Sequence, residues 1–391
     1  MHPVDKTSND KLEQYQVDSE DHPYIERLDQ LESQDAEKFL HVGVDPSENI
    51  RSGSFIQKDK SVIHCKSCQP GVEIMGISEA LSTHDWLKDY LWNNVSPETD
   101  VFTERVRKMP HEGYFIRTLP GAKVTHPVQA CLYIAKNNFS QHVHNIVIAE
   151  EGSELHIITG CATAPHLVSG LHVGVSEFYV KKGAKLIFTM IHEWGDQVNV
   201  RPRTVTRVEE GGIIVSNYVS LKPVGSLQMN PATHLVGKGA VARFNSILVA
   251  SSGTNMDVGS RIYLEAPDTK AEIISRAITS GGSIIARGNL IGMASPIKAH
   301  LECKGLILKD GLMQAIPELS ATVPGVEMSH EAAVGKIDKR EIEYLMARGL
   351  DEETAVSTIV RGFLNVDIEG LPPLLKVELD RAIAETQKDM M

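Results

Sequence analysis

The sequence has few aromatic residues and no long hydrophobic run. Phe, Trp and Tyr make up only 5% of its 391 residues, while Val, Ile, Gly and Ala are frequent. This balance favours thin, repetitive β structure over an aromatic-rich core. No apolar segment reaches the roughly 20 residues that a transmembrane helix needs, and the N-terminal residues lack the charged-then-apolar pattern of a signal peptide. We therefore expect a cytoplasmic protein that does not associate with a membrane.

Positive charge and paired cysteines are also scarce. The formal net charge is −12, which argues against a general nucleic-acid-binding protein. The cysteines are five in number: Cys65, Cys68, Cys131, Cys161 and Cys303. An odd, mostly dispersed set in a chain of this length predicts reduced thiols or metal ligands rather than a disulfide framework.

Common catalytic and nucleotide-binding motifs are absent from the sequence. Gly237-Lys-Gly239 lacks the preceding spaced glycine and the following Ser or Thr of a phosphate-binding loop. Neither a Gly-x-Ser-x-Gly elbow nor a His-Glu-x-x-His helix occurs. We therefore expect a non-enzymatic chain that binds no nucleotide, so that any ATP hydrolysis is supplied by a partner.

The middle of the chain is repetitive. Short apolar segments flank a turn that contains a charged residue and a glycine, and these glycines recur at intervals of 31, 28 and 28 residues. The glycines are Gly152, Gly183, Gly211 and Gly239, and a degenerate fifth copy has Asp268 at the turn. Periods in this range, with short strands and no helix between them, predict a parallel β-helix over residues 114–312.

The regions on either side predict helices. Residues 1–20 are polar and predict a disordered or loose segment. A helical or mixed region covers residues 21–113, with helical spacing over 23–40 and 75–92. Residues 313–391 predict a helical domain with a turn at Gly349 and a buried stripe of Ala355, Ile359 and Phe363. A last helix is expected to start at Pro372.

Candidate metal ligands lie near the end of the predicted β-helix. Residues 297–303 alternate like a strand, so that Leu301 and Cys303 share one face while His300 and Glu302 point to the other. His330 and Glu331 follow in what reads as a polar loop. Thiolate, imidazole and carboxylate are ligand types for iron or zinc. Without further evidence, a lone strand cysteine is more often a small buried hydrophobe.

Three stretches together resemble the SufB/SufD family of iron–sulfur cluster assembly scaffolds. They are His300-Leu-Glu-Cys303, Ser329-His330-Glu331-Ala332 and the segment 347–363, whose pattern is similar to the family's C-terminal signature. The resemblance implies a right-handed parallel β-helix that carries a transient iron–sulfur cluster on Cys303, His330 and Glu331. It also implies a site at a dimer interface, in a homodimer or a SufB–SufD-type heterodimer.

The same resemblance implies partners. The C-terminal helices would dock a SufC-type ABC ATPase through residues in and around the turn that ends the first helix. These residues are Arg348, Gly349, Asp351, Glu352 and Glu353. A sulfur donor and apo-protein acceptors complete the expected set of partners.

Some alternatives stay open. SufB proteins carry a second cysteine on a mid-helix strand, and residues 201–210, which we match to that strand, have none. Either free sulfide is used or another cysteine, such as Cys161, replaces it. Cys65 and Cys68 could bind metal, exchange disulfides or form a simple turn. His142, His144 and His156 could stack near Cys161.

Two rival functions also remain. The chain could be a SufD-like accessory subunit without its own cluster, although Cys303 argues against this. A β-helix carbohydrate-active enzyme would need Asp, Lys and Arg clustered on one strand face, and the sequence lacks such a cluster.

Overall fold

A parallel β-helix of about eight turns dominates the protein. The computed structural model describes residues 12–47 and 50–364. Within that part of the chain, no helix is both long enough and apolar enough to cross a membrane.

The region before the β-helix mixes short helices and strands. Its elements are α1 Ser33–His41, β1 Gly53–Lys58, β2 Ser61–Ser67, β3 Val72–Gly76, α2 Ile77–Thr83, α3 Val101–Lys108 and β4 Tyr114–Thr118. The predicted helices over 23–40 and 75–92 are therefore too long. The chain is extended at Glu32, just before α1, and again at His84, where α2 ends and a 3₁₀ helix, Asp85–Asp89, follows.

The loose segment predicted for residues 1–20 needs correction where the structure describes it. Leu12 and Tyr15 pack against Phe102 of α3 and against strand residues of the β-helix. Gln16 forms a backbone bridge with Phe139. A polar composition concealed these two apolar contacts, which hold the segment on the β-helix surface.

The β-helix strands follow one another at short, regular intervals. They are β5 Val128–Ile134, β6 Phe139–Ala149, β7 Glu154–Thr163, β8 Ser169–Val180, β9 Lys185–Glu193, β10 Gln197–Val200, β11 Arg203–Val208, β12 Ile213–Ser220, β13 Ser226–Met229, β14 Ala232–Leu235, β15 Val241–Ala250, β16 Asn255–Leu264, β17 Thr269–Thr279, β18 Ser283–Gly292, β19 Ile297–Ile307, β20 Leu312–Ala321 and β21 Val326–Gly335. They form two sheets that enclose a lumen filled by inward-facing side chains. Sheet one has the strand order β2-β1-β5-β7-β9-β12-β15-β17-β19-β21, and sheet two contains β3, β4, β6, β8, β10, β11, β13, β14, β16, β18 and β20.

The turn residues confirm the repeat. Gly152, Gly183, Gly211 and Gly239 all have φ between 64° and 71°, and Asp268 has φ of 62°. This left-handed conformation is easy for glycine and tolerable for Asp. Each copy of the repeat therefore turns at the same place.

Sheet two is interrupted at two prolines. Pro202 separates β10 from β11, and Pro231 separates β13 from β14, because proline has no N–H to donate to a ladder. Arg201 donates to the carbonyl oxygens of Val200 and Ser226, both at 2.9 Å. Arg203 likewise donates to the carbonyls of Pro202 and Gln228. Guanidinium groups thus hydrogen-bond to the backbone at the interruption.

The β-helix extends further than predicted. We expected helices from residue 313, but β20 and β21 add another coil that ends at Gly335. The helices are α4 Lys339–Met346 and α5 Glu352–Leu364, and the helix predicted from Pro372 lies outside the described residues. The short, mixed apolar and polar pattern of 312–335 hides its strand character because this last coil is covered on one side only.

The C-terminal helices differ in how they pack. Helix α5 buries Ala355, Val360 and Leu364, whereas Ile359 and Phe363 of the predicted stripe are only partly buried. Val360 and Leu364 pack on Ile278 and its neighbours on the outer face of sheet one. Helix α4 buries no side chain, and Met346 is exposed.

Candidate functional site

Cys303 lies in the interior of the β-helix. In β19, buried and half-buried residues alternate, which places Leu301 and Cys303 in the lumen and His300 and Glu302 on the outside, as the sequence predicted. The Cys303 side chain is only 1% exposed. Burial raises the pKa of its thiol to about 11, and the Arg276 guanidinium acts in the opposite direction. The free chain therefore holds Cys303 as a neutral thiol at pH 7.

His330 and Glu331 lie on strand β21 rather than in a loop. Leu301 pairs with His330, Glu302 with Glu331, and Cys303 with Ala332. Since adjacent strand residues point to opposite faces, His330 shares the lumen side with Cys303 and Glu331 points outward. Diagonal neighbours on adjacent strands lie roughly 7–8 Å apart. Within one chain His330 is therefore near Cys303, while Glu331 is on the other face of the sheet.

The described residues of a single chain do not complete a metal site. No group of three or more His, Cys, Asp or Glu side chains is arranged there to hold an ion. His330 and Glu331 are both exposed. Cys303 is buried in the strand next to them, so a multidentate site that includes it needs ligands from outside this arrangement.

A charged network covers the outer face opposite Cys303. The Arg276 guanidinium of β17 forms an ion pair with Glu302. Lys304 Nζ lies 3.2 Å from the Glu302 carboxylate and 3.0 Å from that of Glu331. Burial acts to raise the pKa of Glu302, but Arg276 and Lys304 lower it below its ordinary value. Sequence reasoning missed Arg276 and Lys304; their only signal was their place on the outward face of alternating strands.

In the part of the chain that the structure describes, the last coil is open. Strand β21 ends sheet one and β20 is paired only with β18, so each leaves one edge without a strand partner among the described residues. Most β21 side chains are exposed, and so are Leu312 and Val334. Unpaired edges with exposed apolar side chains are ready-made templates for pairing with another chain.

A row of small polar groups leads away from Cys303 inside the lumen. Register places Cys303 beside Ser275, Ser275 beside Ser246, and Ser246 beside Tyr218. The Ser246 hydroxyl donates to Ser275 at 2.9 Å. The Tyr218 hydroxyl lies 2.7 Å from Nδ1 of His192. Hydroxyl groups therefore line the lumen from Cys303 towards the middle of the β-helix.

Cys161 lies at the far end of this row. It is fully buried, faces the lumen and pairs in register with His192. Burial raises the pKa of the Cys161 thiol and lowers the pKa of His192. By contrast, the inward positions of β11, Arg203–Val208, include Thr204 and Thr206 and no cysteine.

The other histidines considered with Cys161 lie elsewhere. His142 and His144 are on the outer face of β6, where His142 meets Arg105 at 3.1 Å and His144 meets Glu177 at 2.8 Å. His156 is also on an outward position of β7, opposite in parity to Cys161. The proposed stack of imidazoles near Cys161 is therefore wrong, because strand alternation separates the two faces.

Cys65 and Cys68 do not form a closed metal-binding turn in this structure. The Cys65 thiol donates to the Ile74 carbonyl at 3.4 Å and packs against the main core. Burial raises the pKa of the Cys65 thiol to about 12. Cys68 is exposed beyond the end of β2. The two thiols thus occupy different environments, one apolar and one in solvent.

The residues predicted to contact an ATPase lie on the exposed turn between α4 and α5 and on the first turn of α5. Gly349 has φ of 96°, as expected for a residue that ends a helix. The Asp351 carboxylate accepts the Thr354 N–H at 2.7 Å, and this backbone contact lowers the pKa of Asp351. Arg348, Glu352 and Glu353 are exposed.

The fold and the site first define a class of protein. It is a parallel β-helix with a buried thiol next to a last coil that is open among the described residues, followed by exposed helices. Residues 132–363 match the family model described as "SUF system FeS cluster assembly, SufBD core domain". The chain therefore belongs to the SufBD family of iron–sulfur cluster assembly proteins, and the predicted family and β-helix fold are confirmed.

Named relatives agree with this assignment. A SufBD family iron–sulfur cluster assembly protein of Archaeoglobus fulgidus is 51% identical over 358 residues, covering 91% of this chain and 96% of that protein. A homologue from Methanothermobacter thermautotrophicus is 47% identical over 377 residues, covering 95% and 92% respectively. The SufB protein of Bacillus subtilis is 29% identical over 369 residues, covering 91% and 78%.

Proposed function

We propose that this chain is a SufB-like scaffold on which an iron–sulfur cluster is built, with Cys303 as its thiolate ligand. The observation that carries the proposal is the position of Cys303, which lies in the lumen one strand away from the uncovered last coil. Soft thiolate sulfur suits iron, which is the cargo of the scaffold rather than a resident cofactor. The scaffold itself catalyses no reaction and binds no nucleotide.

The remaining ligands come from a second protomer in this proposal. An isologous dimer places each patch against its own copy, so pairing through β20 and β21 would bring His330 of the partner subunit towards Cys303. Glu331 would contribute from the outer face only after β21 shifts. A homodimer then has two equivalent sites, whereas a SufD-type partner would give one.

A SufC-type ABC ATPase docks on the exposed turn between α4 and α5 in this proposal. Support comes from the lack of any buried side chain on α4 and from the exposed Arg348, Glu352 and Glu353. Movement of the docked subunits would expose Cys303, which would remove the burial that keeps its thiol protonated. Metal binding then releases the thiol proton.

Sulfur has two routes to the site. Cys161 faces the same lumen as Cys303, and the hydroxyl row between them supports its role as the second thiol. Free sulfide is the other route. The scaffold would act in the cytoplasm, where thiols stay reduced, and pass the finished cluster to apo-proteins.

Anaerobic reconstitution with iron and sulfide tests the proposal. Wild-type protein is expected to develop cluster absorption, and Cys303→Ser is expected to abolish it because a hydroxyl replaces a soft ligand. Cys68→Ser, which changes an exposed thiol, is the matched control and should behave like wild type. His330→Ala and Glu331→Ala should each reduce bound iron less than Cys303→Ser does, because water can fill a hard-ligand position.

Circular dichroism of each variant separates a lost ligand from a lost fold. A Cys303→Ser protein that still binds a wild-type amount of iron and sulfide would place the site elsewhere, with Cys65 and Cys68 examined next. A wild-type chain that builds no cluster alone but does so with a second SufBD chain would favour the SufD-like accessory role.

A further inference from the structure

The charged network over Cys303 joins three strands and one helix. Arg276 of β17 pairs with Glu302 of β19, and Lys304 of β19 links Glu302 to Glu331 of β21. Positive and negative groups therefore alternate across the outer face, from the interior of sheet one to its last strand. Glu302 is the chain neighbour of Cys303, on the opposite face of the same strand.

Arg276 also contacts helix α5. Its guanidinium carbon lies 6.0 Å from the centre of the Phe363 ring, over the ring face. Cation–π contacts at this distance are attractive. Val360 and Leu364, on the same helix, pack on Ile278 and Leu306 of β17 and β19. Arg276 is thus a charged group of the network that also touches α5.

The degree of burial gives this pair its rigidity. The side chains of Arg276 and Glu302 are 14% and 15% exposed. When two charges are shielded from water to this extent, separating them is costly, and a Glu302 that lost Arg276 would keep only Lys304, at 3.2 Å, as a charged partner among the described residues. The two side chains therefore move together, and a displacement of Phe363 that shifts Arg276 also shifts Glu302.

We propose that Arg276 is a positioning residue that couples helix α5 to the strands carrying Cys303 and His330. Loading of α5 by a docked protein changes the contact between Phe363 and Arg276. The change passes through Glu302 and Lys304 to Glu331 on the open coil. The identity of the docked protein as an ATPase rests on the proposed function, but the coupling itself does not.

A second ion pair provides a matched control. Arg243 of β15 and Glu272 of β17 form the same kind of contact at 2.8 Å, on the same outer face. Their side chains are 52% and 36% exposed, and pairs exposed to this extent contribute little. Arg243→Gln removes the same charge as Arg276→Gln without disturbing the network.

Hydrogen exchange of the full chain, followed by mass spectrometry, tests the coupling without iron or sulfide. Arg276→Gln is expected to raise amide exchange in both α5 and β21 by at least about fivefold, because exchange reports local opening. Peptides from β5 to β9 should be unchanged, and Arg243→Gln should match wild type throughout. Arg276→Lys keeps the charge and should lie between the two.

Two further variants test the coupling independently, in case Arg276→Gln misfolds. Phe363→Leu should raise exchange in β21, and Lys304→Met should raise exchange in α5, since coupling free energies are reciprocal. Phe363→Tyr keeps the ring and should match wild type. The coupling is overturned when Phe363→Leu changes α5 alone and Lys304→Met changes β21 alone. Failure of cluster assembly would refute the scaffold proposal but leave these exchange results standing.

Discussion

The two ends of the β-helix are built from the same repeat but finished differently. At the N-terminal end, residues 22–25 run along the outer edge of β2, where the Ile25 N–H donates to the Ile63 carbonyl at 2.7 Å. At the C-terminal end, β21 has no such cover among the described residues, and most of its side chains are exposed. An open sheet edge is a hazard that proteins normally hide. An end left open in the described part of the chain is therefore consistent with the partner binding proposed above.

The covered end also has the more deeply buried hydrogen-bonded polar groups. Asp59, in the turn between β1 and β2, is 1% exposed and accepts hydrogen bonds from Ala135 N–H, Lys136 N–H and the His22 ring. Polar groups on the last two strands of sheet one, such as Lys298 and Glu327, pair in solvent instead. Stability should therefore depend on the first end and association on the second.

The largest effect is expected for Asp59→Ala. The change leaves the half-buried N–H groups of Ala135 and Lys136 without their acceptor. It also places an alanine at φ of 51°, so we expect a loss of about 3 kcal/mol of unfolding free energy. Urea denaturation measures it. Asp59→Asn keeps one acceptor oxygen and tolerates this backbone conformation, so it should lose clearly less. Equal losses for the two variants would contradict the role assigned to the hydrogen bonds.

Buried histidines near the covered end predict a pH dependence. Burial lowers the pKa of His142 and of His172 to about 3, below the ordinary value near 6.5 of the unfolded chain. The unfolded state therefore binds more protons below pH 6.5, and stability falls as the pH drops from 6.5 towards 3. Between pH 7 and pH 5 we expect a loss on the order of 1–2 kcal/mol per histidine.

The variant His142→Asn/His172→Asn checks this dependence by urea denaturation at both pH values. It should be less stable than wild type at pH 7 but lose less on acidification. His330→Asn, at the open end, should leave the stability at pH 7 unchanged. A pH slope identical to wild type in the double variant would show that other groups cause the acid sensitivity.

The open end is tested by charge. Leu312→Lys together with Val334→Lys places like charges on both copies of the exposed coil. We therefore expect the dissociation constant of the dimer to rise by about tenfold or more. Light scattering across a concentration series measures this. Leu119→Lys, a similarly exposed leucine far from the last coil, is the control. A wild-type chain that stays monomeric at every concentration, even with the ATPase present, would rule out the homodimer.

The smallest effect concerns the α4–α5 turn. Glu352→Lys with Glu353→Lys should weaken ATPase binding several-fold, because exposed rim charges contribute modestly to affinity. Titration of the ATPase subunit measures the change, and an unchanged thermal transition would show that the β-helix is intact. Charge reversal at Glu151, in an early turn of the β-helix, should have no effect. Unchanged binding in the Glu352/Glu353 variant would move the contact to another surface.

Local pattern predicted much of the fold. The glycines at 152, 183, 211 and 239 and the alternation around Cys303 reflect constraints that act within one repeat, so they are visible in the sequence. The strand character of 326–335 was missed because an edge strand with one solvated face loses its alternating pattern. The outward position of Glu331 followed from that strand, and it was hidden for the same reason.

Other features depend on contacts between distant segments. Arg276 meets Phe363 across 87 residues of sequence, and although helical spacing marked Phe363, no local pattern pairs it with Arg276. Leu12 and Tyr15 are buried although their segment is polar, because two apolar side chains are enough to fix it to α3. The placement of Cys161 in the same lumen as Cys303 required the register of six strands of sheet one, from β7 to β19.

The interruption at Pro202 and Pro231 gives the β-helix a built-in compliance. Sheet one runs through this region without a break, whereas sheet two is joined there partly by the side chains of Arg201 and Arg203. Side-chain contacts stretch and rotate more easily than a backbone ladder. Torque applied to the C-terminal coils is therefore expected to bend the solenoid at this level, with sheet one as the hinge. Sheet two would then open at the interruption, where the Phe102 ring lies 4.9 Å from the Arg203 guanidinium.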